Sequence, residues 1–365
     1  LVINENINSG LLKSQVIEPI KSIEDKQVKL INIHKIGNTN KAYTNSINLP
    51  IAIPYKLFLF NYLFFLTPVF ALLYAVILSF IVKRDSIVVA RSYFPSLVTF
   101  FLKKIRNINY VFDTRSLFID ENTLNGNIKM NSLNYKMWRY FEKKILCNSY
   151  KTTAVSIKHK EFHEAMCSKA IVELIPCYVS TMKYIAKDRE QELRKELGYK
   201  SNDIVITYYG SLDNGWNSID MYAEFFKECT SRGYKVLVIS QHYENLLHDD
   251  RINIKNVTLL NTTSLDSGEL VEYLQVADYG VVLMKKAADW ETRLSVKFVE
   301  YLNAGLQVIV GEYVGEAVRY SREEFSERSV ICRKVDDIDK LVSKKNYTND
   351  KVTKLFGYKN IGKII

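Results

Sequence analysis

Proline and glycine are scarce in this chain, at six and fourteen in 365 residues. That scarcity excludes a long disordered tract, and no low-complexity run or internal repeat is visible. Cysteine is scarce too. Cys147, Cys167, Cys177, Cys229 and Cys332 are odd in number, irregularly spaced and never arranged as CxxC. We therefore expect neither a zinc site nor a disulfide framework, and a reducing compartment. The opening LVINENINSG reads as a strand and then a polar loop, so we expect no secretory leader. Its start at Leu1 rather than Met leads us to expect a few native residues before it. Acidic residues are sparse in the first half. Residues 1–180 hold 23 Lys plus Arg against 12 Asp plus Glu, whereas 181–365 hold 27 against 28, so the formal +10 sits wholly on the first half. Such a field attracts anionic lipid, nucleic acid or phosphorylated substrate.

The length predicts two domains. A composition of 47% hydrophobic and 25% charged residues is that of an ordinary globular chain. One run, Leu57–Val82 (LFLFNYLFFLTPVFALLYAVILSFIV), has the length and hydropathy of a membrane span, and Lys56 and Lys83–Arg84 flank it. Asn61, Thr67, Pro68 and Ser79 interrupt it. Beyond it, Ser86–Ala90 reads as a buried strand that must join the same sheet as the strands before the run, and a spanning helix would separate them across the bilayer. The adopted expectation is two helices broken near Pro68, partly core and partly membrane-facing surface.

Short Val- and Ile-rich runs alternate with helical patterns. Strands are expected at Leu1–Ile3, Val28–Ile33, Ile87–Ala90, Tyr110–Asp113, Lys151–Val155 and Ile171–Ile175. More follow at Ile204–Tyr209, Lys235–Ser240, Val257–Leu260, Tyr279–Leu283 and Val308–Val310. Helices are expected at Leu12–Lys26, Leu133–Asn148, Lys158–Cys167, Ser218–Arg232, Ser267–Ala277 and Leu294–Ala304. The alternation argues for an α/β fold with parallel sheets covered on both faces. The series divides near Pro176, and the charged helix Lys183–Leu197 opens the second set. The expected organisation is two Rossmann-like domains, 1–180 and 181–345, with a tail at 346–365 packing back on the first. Ligands in such sheets bind at the C-terminal strand ends.

The most informative segment is Arg293-Leu-Ser-Val-Lys-Phe-Val-Glu-Tyr-Leu-Asn-Ala-Gly-Leu-Gln-Val-Ile-Val310. Arg293, Lys297 and Glu300 stand at i, i+4 and i+7, on one helical face. Two cations beside free N–H groups of a first turn can grip a diphosphate, and a carboxylate two turns along can accept from ribose hydroxyls. The same spacing also fits a solvated amphipathic face. His159 and His163, four apart on a helix with Glu161 and Glu164 beside them, have metal-compatible spacing but no evident third ligand. We read them as a solvated face and assign no metal.

Ser295-Val-Lys297-Phe-Val-Glu300-Tyr-Leu-Asn-Ala-Gly305, followed by Val308-Ile309, resembles the nucleotide-sugar site of family 4 glycosyltransferases. The resemblance implies a GT-B fold, two Rossmann-like domains facing across a cleft. It assigns Glu300 to the ribose and Lys297 with Arg293 to the diphosphate. The family's second Glu, eight residues earlier, is Thr292 here, with Glu291 beside it. Ile204–Tyr209 leading into Gly210 and Ser211 resembles the family's strand-to-glycine loop, without the Arg and Lys that often follow; a plain tight turn is the other reading. Val271–Val282 resembles the helix and strand before the donor site, and Leu174-Ile-Pro176 the interdomain hinge. In Asn6–Ser14, Ser9 and Gly10 fall in a loop resembling the one that faces acceptor and donor phosphates. Phe112–Glu121 resembles an Asp-x-Arg…Asp-Glu pattern of bacterial polysaccharide glycosyltransferases, in which Asp113, Arg115, Asp120 and Glu121 would orient acceptor hydroxyls or stabilise the leaving phosphate. An Asp113–Arg115 pair with two solvated acids fits the same residues.

The resemblance implies transfer from a UDP- or GDP-sugar with retention at the anomeric carbon and no cofactor, the nucleotide-sugar being a substrate. Together with the basic, aromatic-rich first half it points to a lipid-linked or oligosaccharide acceptor at an anionic membrane surface, on the cytoplasmic face of a bacterial membrane, in surface-polysaccharide assembly. The alternatives are a catalytically silent GT-B-like subunit and a nucleotide-sugar epimerase. No nucleic-acid-binding motif is recognised, and no nucleic-acid partner is expected.

Overall fold

A computed structural model describes residues 1–4, 12–23, 27–35, 46–51, 63–180, 182, 184–212, 218–247, 249–252, 255–262, 267–287, 289–339, 341–342 and 347–363. The chain forms two compact units, Leu1–Tyr178 with Tyr358–Ile365, and Val179–Gly357.

Among the described residues the first unit is built on seven parallel strands: β1 (Val2–Ile3), β2 (Leu30–Lys35), β3 (Ser46–Ile51), β4 (Val88–Arg91), β5 (Tyr110–Asp113), β6 (Lys151–Ala154) and β7 (Val172–Leu174). Their spatial order is β3-β2-β1-β4-β5-β6-β7. Central β5 is buried along its whole length, as a parallel strand covered on both faces must be. Sequence reasoning did not single out β3. It carries Pro50, which cannot donate to a ladder and is tolerated because β3 is an edge strand.

The helices of this unit are α1 (Glu18–Lys21, continuing a π-helical turn Lys13–Ile17), α2 (Thr67–Ile81), α3 (Tyr93–Arg106), α4 (Phe118–Leu124), α5 (Leu133–Asn148) and α6 (Ile157–Met166). Pro68 sits in the first turn of α2, where its missing N–H costs nothing, and α2 runs unbroken to Ile81, so no break occurs at Pro68 itself; residues 57–62 of the expected first helix lie outside the described residues. Ala71, Tyr74, Ala75 and Leu78 turn into a core shared with Phe94, Leu97 and Val98 of α3. On α2's other side Val69, Leu72, Leu73, Val76, Ile77 and Phe80 are exposed, Phe80 at 85%. By length and composition the stretch Phe64–Ile81 could cross a membrane.

A second correction concerns cysteine. Cys147 at the end of α5 and Cys167 just past α6 are joined in a disulfide, with Cα atoms 5.9 Å apart. Irregular spacing hid the pair, because the chain turns back through β6 and α6 and brings residues twenty apart into contact.

Among the described residues the second unit has six parallel strands: β8 (Val205–Tyr209), β9 (Lys235–Ile239), β10 (Val257–Leu260), β11 (Tyr279–Val282), β12 (Gln307–Gly311) and β13 (Ser329–Cys332), ordered β10-β9-β8-β11-β12-β13. Its helices are α7 (Lys187–Glu196), α8 (Ile219–Ser231), α9 (Glu244–Leu247), α10 (Ser267–Gln275), α11 (Val296–Asn303), α12 (Gly315–Glu323) and α13 (Asp350–Phe356). Each sheet reverses its direction of winding once, between β1 and β4 and between β8 and β11. Open α/β sheets bind ligands beyond the strand ends at such switch points.

Candidate active site

In the second unit the switch point places the end of β8 beside α11. Gly210 follows β8 with φ +130°, and a Cβ there would stand 2.5 Å from Lys297 Cε and 3.0 Å from Nζ. Only glycine admits the lysine. The Lys297 ammonium lies 5.6 Å from the centroid of the Tyr208 ring. Tyr301 on α11 is passed by Gly280 of β11, where a Cβ would strike its ring at 2.2 Å, and its hydroxyl accepts the Tyr209 N–H at 2.8 Å. These contacts fix α11 against the strand ends.

Burial lowers the Lys297 pKa and raises that of Glu300; each charge partly restores the other. Burial and the nearby Glu300 push the Tyr209 phenol up to about 12. Ser295 is the buried N-cap of α11 and makes no side-chain cap, and the first turn holds no acid. The helix start therefore offers N–H groups and a positive dipole end next to the Lys297 cation, a setting that favours anions. Ser211 is exposed, its carbonyl accepting the Tyr208 hydroxyl at 2.6 Å.

Arg293 departs from expectation. It precedes α11 in extended conformation rather than sharing a helical face with Lys297 and Glu300. Its guanidinium is gripped by buried Asp289 at 2.5 and 3.3 Å. That pairing neutralises the charge assigned to the diphosphate.

In the first unit the ends of β4 and β5 carry a buried cluster. The Asp113 carboxylate accepts from Arg91 Nη1 at 3.2 Å and from the Thr153 hydroxyl at 2.7 Å, and Arg115 Nη1 lies 3.7 Å away. Arg115 holds φ +57° and Ser92, next to Arg91, φ +73°. Non-glycine residues hold such angles at a cost, which is common where a site is being shaped. The Arg115 guanidinium lies 5.6 Å from the centroid of the Tyr178 ring. Gln15 clamps Tyr178 by accepting its N–H at 2.9 Å and donating to its carbonyl at 2.8 Å.

Asp120 and Glu121, the two acids that a solvated reading would leave in water, are both engaged by neighbouring side chains. They lie in the first turn of α4, where Asp120 binds Arg139 at 2.5 Å and Glu121 accepts from Ser116 at 2.8 Å. Arg139 also binds fully buried Glu142, which accepts from Tyr93 at 2.6 Å. This pairing ties one Asp120 carboxylate oxygen to Arg139. Ser9 and Gly10 lie outside the described residues.

His159 and His163 overturn the solvated-face expectation, since both are fully buried. Their Nε2 atoms are 3.0 Å apart, and Thr114 Oγ1 is 3.2 Å from His159 Nε2. Burial first, then mutual repulsion and Arg115, drives the His159 pKa far down; burial and Arg139 bring His163 to about 3. Among the described residues no group of three His, Cys, Asp or Glu could hold a metal.

Sequence reasoning missed Arg91 and Tyr178. Arg91 had a signal, being a cation immediately after a buried strand. Tyr178 had none, because it follows the hinge as one aromatic among 24 tyrosines.

No family model and no curated protein matches the chain. Solved structures do. HepE of Anabaena, in complex with UDP, superimposes with TM-score 0.70 at 11% identity, over 99% of this chain and 96% of that one. A glycosyltransferase from Rickettsia africae gives 0.62 at 14%, over 99% and 94%. Sucrose-phosphate synthase from Thermosynechococcus elongatus gives 0.57 at 13%, over 91% and 86%. The fold is GT-B. The similarity to family 4 remains one of motif.

Proposed function

We propose that this chain is a glycosyltransferase that takes a sugar from a UDP- or GDP-sugar and passes it, with retention, to a lipid-linked or oligosaccharide acceptor in surface-polysaccharide assembly. The observation that carries this reading is the approach of Lys297 to Gly210 at the start of α11, with Glu300 one turn along. Lys297 and the helix N–H groups would hold the leaving diphosphate, where developing negative charge is best stabilised by donors already in place. Glu300 would accept from the ribose hydroxyls. Asp113 in the first unit would orient the acceptor hydroxyl, and Arg115 the phosphate side. The GT-B fold and the UDP bound to HepE support the donor class.

The membrane part of the reading rests on α2. One face is tied into the soluble core while six large apolar side chains face outward, and exposed Lys83 and Arg84 follow. A helix so divided lies along an interface, and each nearby base adds about 1 kcal/mol on an anionic surface. The protein would then sit on the cytoplasmic membrane face.

Thermal unfolding with UDP, GDP, ADP and CMP tests the donor site. Selective binding raises the melting temperature by mass action. One nucleotide should stabilise the wild type, and Glu300→Ala should abolish the shift. No shift with any nucleotide would favour the second reading, a catalytically silent GT-B-like subunit. The capture of Arg293 by Asp289 is the observation on that side.

A further inference from the structure

We propose that Tyr209 is a specificity-determining residue of the donor site. Its phenol, with the Glu300 carboxylate, reads the two vicinal hydroxyls of a ribose, so the donor is a ribonucleoside diphosphate sugar and a 2′-deoxyribose donor is rejected. The inference rests on the transferase reading above and adds to it a second ribose contact.

The first argument is position. Side chains along a strand alternate between the two faces of its sheet. Ile206 and Tyr208 of β8 turn into the core beside Tyr222 and Phe226 of α8, and Tyr279 of β11, the partner of Ile206, turns the same way. Thr207 and its partner Gly280 therefore mark the opposite face. The Tyr301 ring of α11 lies against Gly280, so α11 packs on that face. Two residues beyond Thr207, Tyr209 ends β8 with its side chain on the face that carries α11. The Tyr209 N–H donates to the Tyr301 hydroxyl at 2.8 Å, which fixes its backbone beside the residue that follows Glu300.

The second argument is unused hydrogen-bonding capacity. The charge that acts on the Tyr209 phenol is that of Glu300. Yet among the described residues neither the Tyr209 hydroxyl nor the Glu300 carboxylate makes a hydrogen bond, with the other or with a neighbour. Glu300 and Lys297 likewise act on each other through charge without forming an ion pair. Both Tyr209 and Glu300 are half-buried, open to a ligand yet shielded enough that its hydrogen bonds count.

The third argument is complementarity. A carboxylate only accepts, and a phenol that keeps its proton donates. Burial and Glu300 hold the Tyr209 phenol at about 12, so it remains a donor at any working pH. Vicinal hydroxyls match this set: one donates to Glu300 while the other accepts from Tyr209. Lys297 stands one turn before Glu300 on α11. With a diphosphate on Lys297, the group attached to it and nearest Glu300 is the ribose. A site built to bond a hydroxyl rejects the analogue lacking it, because its own polar groups are left unpaired.

The experiment is calorimetric titration of the full chain with whichever of UDP and GDP binds, and with the 2′-deoxy and 3′-deoxy forms of that nucleotide. It is run on wild type and on Tyr209→Phe, which removes one oxygen that has no partner among the described residues and so leaves the fold intact. Wild type should bind each deoxy form about tenfold more weakly than the ribonucleotide, the size of one hydrogen bond to a charged group. Tyr209→Phe should bind the ribonucleotide about tenfold more weakly than wild type does. It should also lose discrimination against one deoxy form and keep it against the other, because two changes that remove the same hydrogen bond do not add. A tyrosine with a merely structural role would weaken all three nucleotides alike. Equal discrimination in the two proteins, or none in wild type, would overturn the inference and leave the transferase reading standing. Failure of wild type to bind either ribonucleotide would remove the donor site and this inference with it.

Discussion

Lys297 reaches across the end of β8 only because residue 210 has no side chain; a Cβ there would stand 2.5 Å from its Cε. The two residues are 87 positions apart in sequence and act as one unit. Gly210→Ala should push the lysine aside and strain a backbone held at φ +130°. We expect nucleotide affinity to fall about tenfold or more, with the circular dichroism spectrum retained. Calorimetric titration with UDP and GDP checks it, and an unchanged dissociation constant would remove Lys297 from the diphosphate.

Stability should fall as the solution is acidified, because of two histidines. In the unfolded chain His163 titrates near the ordinary value of 6.5, and in the fold burial holds it at about 3. Between those values the unfolded state binds more protons, so the contribution of neutral His163 is complete above about pH 6.5 and is lost progressively toward pH 3. Buried His159 shifts in the same direction. Urea midpoints from pH 4 to 7 should therefore climb with pH, and His163→Phe should flatten that slope. Parallel slopes for the two proteins would show that His163 is protonated without penalty.

The Cys147–Cys167 bridge closes a loop with a sequence separation of 20. Constraint of the unfolded chain by a loop of this size is worth about 3 kcal/mol. Cys147→Ala with Cys167→Ala, or reduction by dithiothreitol, should lower the urea unfolding free energy by about that amount.

Charge on the outer face of α2 should detach the protein from lipid without unfolding it. Phe80→Glu with Val76→Glu places two acids on side chains that are 85% and 43% exposed. Co-sedimentation with anionic vesicles should drop at least about tenfold, since each acid opposes both apolar insertion and lipid charge, while the melting temperature stays put. Co-sedimentation equal to wild type would place the lipid contact elsewhere.

Much of the architecture is written locally. Tyr110–Asp113 and Leu133–Asn148 emerge with the bounds their patterns predict, because an apolar run or a 3.6-residue period needs no distant partner to be recognised. Burial of polar groups is different. His159 and His163 at i, i+4 look the same on a wet face as on one turned inward, and only the Thr114 contact decides. Arg293 looked available although its captor, Asp289, stands only four residues earlier, because the helical reading from Leu294 onward did not include the 3-10 turn Trp290–Thr292 that brings the two together. Edge strand β3 was hidden by its own proline. In the first unit the partners of Asp113 come from β4, β6 and the residues just after β5, so no window of sequence contains the cluster.

The bridge between α5 and α6 makes the segment between them a covalent ring. Strand β6 lies inside that ring, and with it Thr153, the residue that holds Asp113. A protease that cuts at exposed Tyr150 would open the backbone without releasing either piece. The nicked protein would run as one band until reductant is added, and Thr153 would stay covalently tethered beside Asp113 after the chain had been broken.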